Sequence, residues 1–525
     1  MKVLIADKID NEAINILRTN NVEADMKTEL SENEISSIIG DYEGLIVRSG
    51  VQVTSKIIEA GKKLKVIGRA GVGVDNIDVA SATNSGIVVM NTPFGNVNSA
   101  AEHTIAMMLT LSRHIHKAHY SMKNKLWERK NFQGNELRGK SIGIIGLGNV
   151  GKIVARIMQG FECVIYGYDP FVSEAAAKEM GVNPVELDFL IRNSDYITLH
   201  VPLNDKTKNM IDKKEFDAMK KGVKIINVGR GGLVNEEALY ESLISGKVSG
   251  AAIDVWENEP TKDYKLAMLD NVLATPHLGA STEEAQKSVA VDIAKQVVEY
   301  LTKGIIKGAV NFHSVNSEDY ETVSPYINLA EKLGSICVQL SDGGLERIEI
   351  HYRGKIADYD VRLLTSFIVK GILQNICGNI VNEVNSLFVA STRNIKVVDS
   401  KSTVTENFSN LIRVIITTDK GSYKVNGTIF DGKKERIVKI NDFDIDMIPE
   451  GNLIITHNMD KPGVIGQIGT ILGSNNINIA RMAVGRTSRG GSSLNVTTID
   501  GNVSLEVLDK IRNAKNVTSA VLIKV

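Results

Sequence analysis

The sequence predicts an α/β protein of several domains, with two doubly wound parallel sheets in its first part. The chain has 525 residues, enough for about three or four domains. Up to Gly304, short apolar runs alternate with helical patterns, as in parallel sheets with helical crossovers. Beyond Gly304, apolar and polar residues alternate within the runs, which is typical of an antiparallel sheet with one solvated face.

The composition is that of an ordinary globular protein, with 43% hydrophobic and 23% charged residues. A net charge of −1 gives no support to non-specific binding of nucleic acid or anionic membranes. Cys163, Cys337 and Cys377 are far apart, so neither a disulfide scaffold nor a metal site is indicated. The N-terminus does not resemble a secretory signal, and no run reaches the ~18 apolar residues of a membrane span. We therefore expect a cytoplasmic protein.

Ten apolar runs in the first part are predicted strands, and several are apolar throughout, as expected of strands buried on both faces. They are residues 2–7, 44–49, 65–70, 87–91, 141–146, 163–169, 196–202, 223–229, 250–256 and 271–276. One large sheet is the alternative, but two sheets are favoured because sheets usually have about four to six strands.

Two long helical patterns, over 97–122 and 281–304, divide these strands into two groups. They predict a central domain over 97–281, joined to a discontinuous domain made from 1–96 and 282–305. An intervening domain over 306–448 follows, with an Asp-Gly hairpin turn in "DGKKE". The last domain, 449–525, has a β-α-β-β-α-β order, which predicts a ferredoxin-like fold.

A glycine motif in the central domain indicates a dinucleotide site. Gly146, Gly148 and Gly151 follow an apolar strand and open a helix, where they permit a tight turn, close approach of a pyrophosphate and close helix packing. Asp169 ends the next strand, where a carboxylate accepts hydrogen bonds from a ribose diol and repels a 2′-phosphate. The motif therefore predicts NAD rather than NADP; a glycine turn without a ligand is the alternative.

Three reactive side chains follow predicted strands, at the edge where open parallel sheets bind ligands: Arg230, Glu259 and His277. Oxidation of an alcohol needs a base, a carboxylate that orients it, and a cation that holds a substrate carboxylate. Taken singly, the histidine can be structural, the glutamate can cap a turn and the arginine can be a surface charge. Their joint position favours catalysis.

Several motifs resemble the D-isomer-specific 2-hydroxyacid dehydrogenases: "GLGNVG", "HVPL", "NVGRGGLVNEEAL", "AAIDVWENEP" and "PHLGAS". The stretches "GRAGVGVDNIDVASATNSGIVVMNTPFG" and "HNMDKPGVIGQIGTILGSNNINIARMAVGR" narrow the resemblance to the long-form D-3-phosphoglycerate dehydrogenase family. The resemblance covers essentially the whole chain and is most specific over 1–305 and the last 75 residues or so.

The resemblance implies NAD-dependent oxidation of 3-phospho-D-glycerate to 3-phosphohydroxypyruvate, the first step of serine biosynthesis by the phosphorylated pathway. It implies a Rossmann-type nucleotide domain, a flavodoxin-like substrate domain and a homo-oligomer, commonly a tetramer, with a dimer as the alternative. Arg230, Glu259 and His277 become the implied catalytic set. The implied NAD contacts are Gly146, Gly148, Asn149, Val150, Gly151, Asp169, His200, Pro202, Val228, Asp254 and Gly279.

A substrate with a phosphate and a carboxylate needs additional cations. The implied substrate contacts are Arg48, Ser49, Arg69, Gly71, Val72, Asn96 and Arg129. Of these, Arg129 is expected to act across a subunit interface, with a solvated loop as the alternative.

The C-terminal domain resembles an ACT domain, an amino-acid-sensing module, and implies L-serine as effector. The implied effector contacts are Asp460, Pro462, Gly463 and Asn478. A dimerisation module without a ligand is the alternative. The intervening domain departs from the family pattern at "VNSLFVASTRNI" (384–395), which puts any secondary anion site there in doubt.

Two other functions compete with this interpretation. A hydroxypyruvate or glyoxylate reductase uses the same catalytic body but needs fewer phosphate-binding arginines and no C-terminal sensor. An NAD-sensing, corepressor-like scaffold binds the dinucleotide with negligible turnover. An isolated amino-acid-binding regulator is disfavoured by the intact dehydrogenase-like body over 1–305.

Overall fold

The computed structural model describes residues 1–312, 317–405 and 407–525. These residues form a five-stranded, a seven-stranded, a six-stranded and a four-stranded sheet. The first two sheets are parallel throughout, which confirms two doubly wound sheets instead of one large sheet.

The first sheet has the strand order β2-β1-β3-β4-β5, which is the flavodoxin-like order. Its elements are β1 (Lys2–Ile5), α1 (Asn11–Thr19), β2 (Glu23–Met26), α2 (Glu32–Ile38), β3 (Gly44–Val47), α3 (Ser55–Ala60), β4 (Val66–Arg69), α4 (Val79–Asn84) and β5 (Val88–Met90). The four predicted strands are confirmed. Strand β2 was missed because it is a short edge strand with the polar sequence EADM.

Two helices, and not the single predicted one, connect the first sheet to the second. They are α5 (Val97–Arg113) and α6 (Ile115–Lys123). The break lies at His114, whose φ of 54° is left-handed and ends the hydrogen-bonded ladder of α5. The helical periodicity continues past this residue, so the sequence pattern alone did not reveal the break.

The second sheet has the order β12-β11-β10-β9-β6-β7-β8, a Rossmann-type order with one further strand. Its elements are β6 (Ser141–Ile145), α7 (Asn149–Gly160), β7 (Val164–Tyr168), α8 (Glu174–Glu179), β8 (Asn183–Pro184), α9 (Leu187–Asn193), β9 (Tyr196–Leu199), α10 (Lys213–Ala218), β10 (Val223–Asn227), α11 (Glu236–Ile244), β11 (Val248–Ile253) and β12 (Val272–Ala274). The six predicted strands are confirmed, and the two-residue edge strand β8 was missed.

Helix α12 (Glu283–Lys303) returns the chain to the first sheet. Ile293 and Val297 pack on β4 at Gly68, where an added methyl group would lie 2.7 Å from Cγ1 of Ile293. Residues distant in sequence therefore complete the core of the first sheet.

The six-stranded sheet is mixed, which corrects the prediction of an antiparallel one. The elements of this region are α13 (Ser317–Val323), α14 (Ile327–Leu340), β13 (Leu345–Gly354), α15 (Arg362–Cys377), α16 (Ser386–Thr392), β14 (Lys396–Ser402), β15 (Asn410–Thr418), β16 (Gly421–Phe430), β17 (Lys434–Ile440) and β18 (Phe443–Met447). Strands β13 and β14 are parallel because α15 and α16 form a crossover between them; the other pairs are antiparallel.

Helix α15 is unusually apolar. Among the described residues, Arg362–Ile380 is long enough and apolar enough to cross a membrane by length and composition alone. Half of this stretch is buried inside the protein, where Leu364, Ile368 and Ile372 belong to the apolar core. Packing in that core accounts for its composition.

The last sheet has the order β20-β21-β19-β22, which confirms the ferredoxin-like fold. Its elements are β19 (Asn452–Met459), α17 (Val464–Ser474), β20 (Ile479–Arg486), β21 (Ser492–Ile499), α18 (Leu505–Arg512) and β22 (Val517–Lys524). Helices α17 and α18 cover one face. The other face, with Leu453, Ile455 and Leu494, shares a core with the six-stranded sheet.

The close contact between α14 and α15 predicts that a glycine-to-alanine change destabilises the protein there but not at an open helix position. A methyl group at Gly334 would collide with the carbonyl oxygen of Ile368, and one at Gly371 with that of Glu331. We expect Gly334→Ala and Gly371→Ala each to reduce the free energy of unfolding by about 1–3 kcal/mol, since the helices must separate. Gly469→Ala in α17 is the matched control, because its methyl group meets no neighbouring atom and should stabilise the helix by about 0.5–1 kcal/mol. Thermal and urea unfolding measure the difference; a Gly334→Ala protein as stable as the wild type contradicts the close packing.

Candidate active site

A cleft of about 490 Å³ lies between the carboxyl ends of the first two sheets. The size is that of an ordinary small-molecule site. Residues from both sheets line it, and many of the predicted site residues are among them: Val72, Asn96, Asn149, Val150, His200, Pro202, Val228, Arg230, His277 and Gly279. The fold thus brings together side chains separated by up to about 200 positions in the sequence.

The glycine motif beneath the cleft has the geometry that a dinucleotide requires. Gly146 has a φ of 95°, and a methyl group there would lie 2.6 Å from the carbonyl oxygen of His200. A methyl group at Gly151 would collide with the carbonyl oxygen of Gly146, so α7 packs directly on the turn. Gly148 precedes α7, and its methyl group would meet no protein atom. Packing therefore explains two of the glycines, and approach of a ligand explains the third.

Asp169 follows β7 and is bound to the glycine turn. Its carboxylate accepts hydrogen bonds from the amides of Leu147 and Phe171, both at 2.9 Å. A carboxylate has about four acceptor positions, so this arrangement fixes its orientation and leaves capacity for a ribose diol. His200, across the turn, has its pKa lowered to about 4 by burial, and so presents a neutral ring to the cleft at neutral pH.

His277 and Glu259 form a hydrogen-bonded pair at the cleft. Nδ1 of His277 lies 2.6 Å from Oε2 of Glu259, whose Oε1 accepts the amide hydrogen of Trp256 at 3.0 Å. Burial would raise the pKa of Glu259, but the hydrogen bonds from His277 and Trp256 outweigh it and hold that pKa below its usual value. The carboxylate therefore stays ionised, and it accepts the Nδ1 proton of the imidazole.

A buried carboxylate, Asp254, holds the turn that carries His277. Its oxygens accept hydrogen bonds from the amides of Leu278 (2.7 Å) and Gly279 (2.8 Å) and from the hydroxyl of Thr275 (2.6 Å). The backbone of His277 is left-handed, with a φ of 56°, a conformation that costs about 1–2 kcal/mol in a non-glycine residue.

The ring of His103 approaches this carboxylate, with Nε2 3.3 Å from Oδ1 of Asp254. Burial opposes ionisation of Asp254, yet the hydrogen bonds from His103, Thr275 and Leu278 lower its pKa to about 2. The buried group is therefore a carboxylate, as acceptance of the two backbone amides requires.

Arg230 connects the two sheets. It follows β10, and its Nε lies 3.3 Å from Oδ2 of Asp75, in the loop after β4. Its Nη1 donates to its neighbour, the carbonyl oxygen of Gly229, at 2.8 Å. The guanidinium of Arg230 is thus held at the cleft from both sides.

Arg69 lies close by and is partly buried, and its buried Nε has no hydrogen-bond partner among the described residues. Burial, and then the positive charge of Arg230, lower the pKa of Arg69 to about 10. Because a buried cation with an unpaired donor is costly, this pair of arginines favours an anion in the cleft.

Five predicted substrate contacts are not part of the cleft lining: Arg48, Ser49, Arg69, Gly71 and Arg129. Arg48 lines a separate groove of about 710 Å³ beside the start of α12, and Ser49 next to it is exposed. Arg129 is exposed in a short turn after α6. Gly71 contacts Arg69, since a methyl group there would collide with its guanidinium. Asn96 begins α5 without capping it, so its side chain is available to the cleft.

Sequence reasoning missed several residues at or beneath the cleft, among them Asp75, His103, Thr275 and Val310. Asp75 stands in "GRAGVGVD" and Thr275 two residues before His277, so a search of strand ends for polar partners finds both. His103 lies on a helix face and Val310 is an apolar residue in a connecting segment, and neither carries a local signal.

The predicted effector residues lie at both ends of β20. Asp460 accepts hydrogen bonds from Arg486 (3.2 Å) and the amide of Gly490 (3.0 Å), and these lower its pKa, the amide most. Asn478, at the other end, donates to Asp500 at 2.7 Å. The eight residues of β20 separate the two, so one chain does not bring them to the same ligand. Pro462 and Gly463 are exposed, and α17 begins at Val464.

Comparisons with known proteins agree with this geometry. Three family models match: the NAD-binding domain of D-isomer-specific 2-hydroxyacid dehydrogenases over 105–279, the D-3-phosphoglycerate dehydrogenase intervening domain over 322–441, and the ACT domain over 452–516. D-3-phosphoglycerate dehydrogenases of Archaeoglobus fulgidus and Methanocaldococcus jannaschii are each 42% identical to this chain, covering 100% of it and 100% and 99% of their own lengths.

A solved structure of NAD⁺-bound 3-phosphoglycerate dehydrogenase from Entamoeba histolytica is 31% identical, with a TM-score of 0.51. The match covers 59% of this chain and 98% of that one.

The cleft, the glycine turn and the His277–Glu259 pair thus occur in an NAD-dependent enzyme of the D-isomer-specific 2-hydroxyacid dehydrogenase class. Within that class, the full-length identity and the two C-terminal domains are decisive: the chain belongs to the D-3-phosphoglycerate dehydrogenase family.

The His277–Glu259 pair predicts a selective loss of turnover. We expect His277→Ala to lower kcat by about 10²–10⁴-fold, the usual contribution of a general base, and to leave NADH affinity unchanged because the glycine turn lies on other strands. Steady-state kinetics and fluorescence titration with NADH measure the two effects. Leu278→Ala, in the same turn, is the matched control and should retain kcat. A His277→Ala enzyme with full turnover contradicts the assignment.

Proposed function

We propose that the protein oxidises 3-phospho-D-glycerate to 3-phosphohydroxypyruvate with NAD, as the first step of serine biosynthesis by the phosphorylated pathway. The single observation that carries the proposal is the His277–Glu259 pair at a cleft that Arg230 also lines. The names of the full-length relatives support the choice of substrate. When bound, NAD supplies the acceptor for the hydride that leaves C2 of the substrate.

His277 acts as the base in this proposal. Since Glu259 accepts the Nδ1 hydrogen, Nε2 is unprotonated and takes the hydroxyl proton of the substrate. The ionised Glu259 then stabilises the imidazolium that forms. Arg230 holds the substrate carboxylate with its planar guanidinium and polarises the carbonyl group in the reverse direction.

The cations of the first sheet receive the rest of the substrate. Arg69 has a buried Nε without a partner among the described residues, so we assign its guanidinium to an anionic group of the substrate. Val72, Gly71 and Asn96 border the same side. Arg48, in the adjoining groove, and Arg129 are assigned to the phosphate only if the cleft closes or a second subunit approaches.

We propose that the enzyme is a homo-oligomer, either tetramer or dimer, and that α6 and the loop after it form one contact. This segment exposes five large apolar side chains: Ile115, Tyr120, Met122, Leu126 and Trp127. An apolar surface of this kind is typical of a protein interface. Arg129 follows it by two positions and would be carried toward the neighbouring subunit.

We propose L-serine as an effector of the ACT domain. Asp460 and Asn478 lie at opposite ends of β20, so one effector meets both only where two copies of the domain pair.

We also propose a cytoplasmic location and four domains, with the limits 1–96 with 282–305, 97–281, 306–448 and 449–525. The free thiols of the three cysteines suit a reducing compartment.

One assay separates the candidate functions. NAD reduction is followed with 3-phospho-D-glycerate, glycerate, lactate and 2-hydroxyglutarate, with and without L-serine. We expect the highest kcat/KM for the phosphorylated acid, because Arg69 needs an anionic partner, and inhibition by L-serine. Preference for glycerate or lactate, or for hydroxypyruvate or glyoxylate in the reverse direction, refutes the substrate proposal. Binding of NAD without turnover on any acid supports the scaffold alternative, and the absence of both inhibition and calorimetric heat refutes the serine site.

A further inference from the structure

Residues 308–312, which we call the strap, lead the chain from α12 toward the intervening domain along the edge of the first sheet. The amide of Val310 donates to the carbonyl oxygen of Val89 at 2.7 Å, and the amide of Asn91 donates to that of Gly308 at 3.1 Å. Ala309 and Met90 form an antiparallel bridge. The strap thus covers the free edge of β5 in the sheet that forms one wall of the cleft.

The side chain of Asn311 attaches the strap to the start of β5. Its Oδ1 accepts the amide hydrogen of Val89 at 2.9 Å. Its Nδ2 donates to the carbonyl oxygen of Ile87 and to Oγ1 of Thr83, both at 2.9 Å. Three bonds from one amide join α4, the turn after it and β5.

The residues on either side of Asn311 contact different parts of the protein. Val310 lines the active-site cleft, on the same side as Asn91 and Asn96. Phe312 is buried at the junction with the intervening domain, where it lines a small cavity together with Ile327 and Leu363. Three consecutive residues therefore contact the cleft, the substrate-side sheet and the intervening domain.

A second contact holds the same strand from the intervening domain. Nδ2 of Asn382 donates to the carbonyl oxygen of Gly86 at 2.7 Å, just before β5. The loop that follows β5 contributes Asn91, Pro93 and Asn96 to the cleft. The start of β5 is thus fixed by the intervening domain, its edge by the strap, and its end forms the substrate side of the cleft.

We propose that Val310 and Asn311 are positioning residues of the substrate half of the cleft, and that they tie its geometry to the intervening domain. This rests on the proposed function only for the identity of the substrate. The proposed reacting pair, His277 and Glu259, lies on the other sheet, and among the described residues it is bonded within that sheet. Loosening the strap therefore weakens substrate binding and leaves the chemical step and NAD binding intact.

The experiment compares Asn311→Ala and Val310→Ala with Asn410→Ala. Asn410 is the matched control, because its side-chain amide is also bonded at both ends. It accepts from the amide of Ile356 and donates to the hydroxyl of Tyr326, and both partners lie within the intervening domain. KM for 3-phospho-D-glycerate, kcat, NADH affinity and hydrogen–deuterium exchange of peptides covering 88–96 are measured on the full-length enzymes.

We expect Asn311→Ala to raise KM by about tenfold, as for loss of one well-placed buried hydrogen bond, with kcat and NADH affinity unchanged and faster exchange over 88–96. Val310→Ala should raise KM without changing hydrogen–deuterium exchange over 88–96. The substitution removes a side chain that lines the cleft but keeps the backbone bond to β5. Asn410→Ala should leave all of these as in the wild type, even where its melting temperature falls as much.

Equal effects of Asn311→Ala and Asn410→Ala on KM, or unchanged exchange over 88–96 in Asn311→Ala, overturn the proposal. A fall in kcat equal to the rise in KM also overturns it, since the strap would then act on the reacting groups. A wild-type enzyme that does not accept 3-phospho-D-glycerate refutes the proposed function instead, and the exchange comparison still decides the role of the strap.

Discussion

The geometry of the site depends on one buried carboxylate. Asp254 lies at the end of β11 with its side chain fully buried, and its oxygens accept the hydrogens of two successive backbone amides and one hydroxyl. These bonds hold the turn in which His277 has a left-handed backbone. Without that turn, the imidazole does not meet Glu259 at 2.6 Å, and the pair has neither a fixed tautomer nor a stabilised cation. The strain in the turn is thus offset by bonds to a group that never reaches the solvent.

Charged side chains from both sheets meet at one cleft. The second sheet carries Glu259, Asp254 and His277, while the first sheet carries Arg69. Arg230 belongs to the second sheet but is held by Asp75 of the first. In the proposed function, Arg69 binds the substrate from the first sheet, while Arg230 and His277 act from the second. Because the proposed reacting pair lies on the second sheet, the strap, on the first sheet, is expected to affect KM alone.

Local patterns were sufficient for the strands, the glycine turn and the reactive side chains at strand ends. Gly146, Gly148 and Gly151 have a spacing that physical requirements dictate, and burial on both faces makes parallel strands apolar throughout. Edge strands such as β2 are polar, and the left-handed break at His114 leaves the helical periodicity intact, so neither was found. Contacts between distant segments could not be predicted from local patterns. Asn311 and Val89 are 222 positions apart, and neither segment has a sequence feature that indicates its partner. The parallel pairing of β13 with β14 is missed for the same reason.

The most direct test is the rate of hydride transfer in a single turnover by Asp254→Asn at saturating NAD and substrate. The amide has the shape of the carboxylate but replaces one acceptor with a donor that faces the amide hydrogens of Leu278 or Gly279. If the turn positions His277, the variant should remain folded by circular dichroism and transfer hydride about 10²-fold more slowly, the loss expected for a misplacement of about 1 Å. A folded Asp254→Asn enzyme that transfers hydride at the wild-type rate would contradict the account.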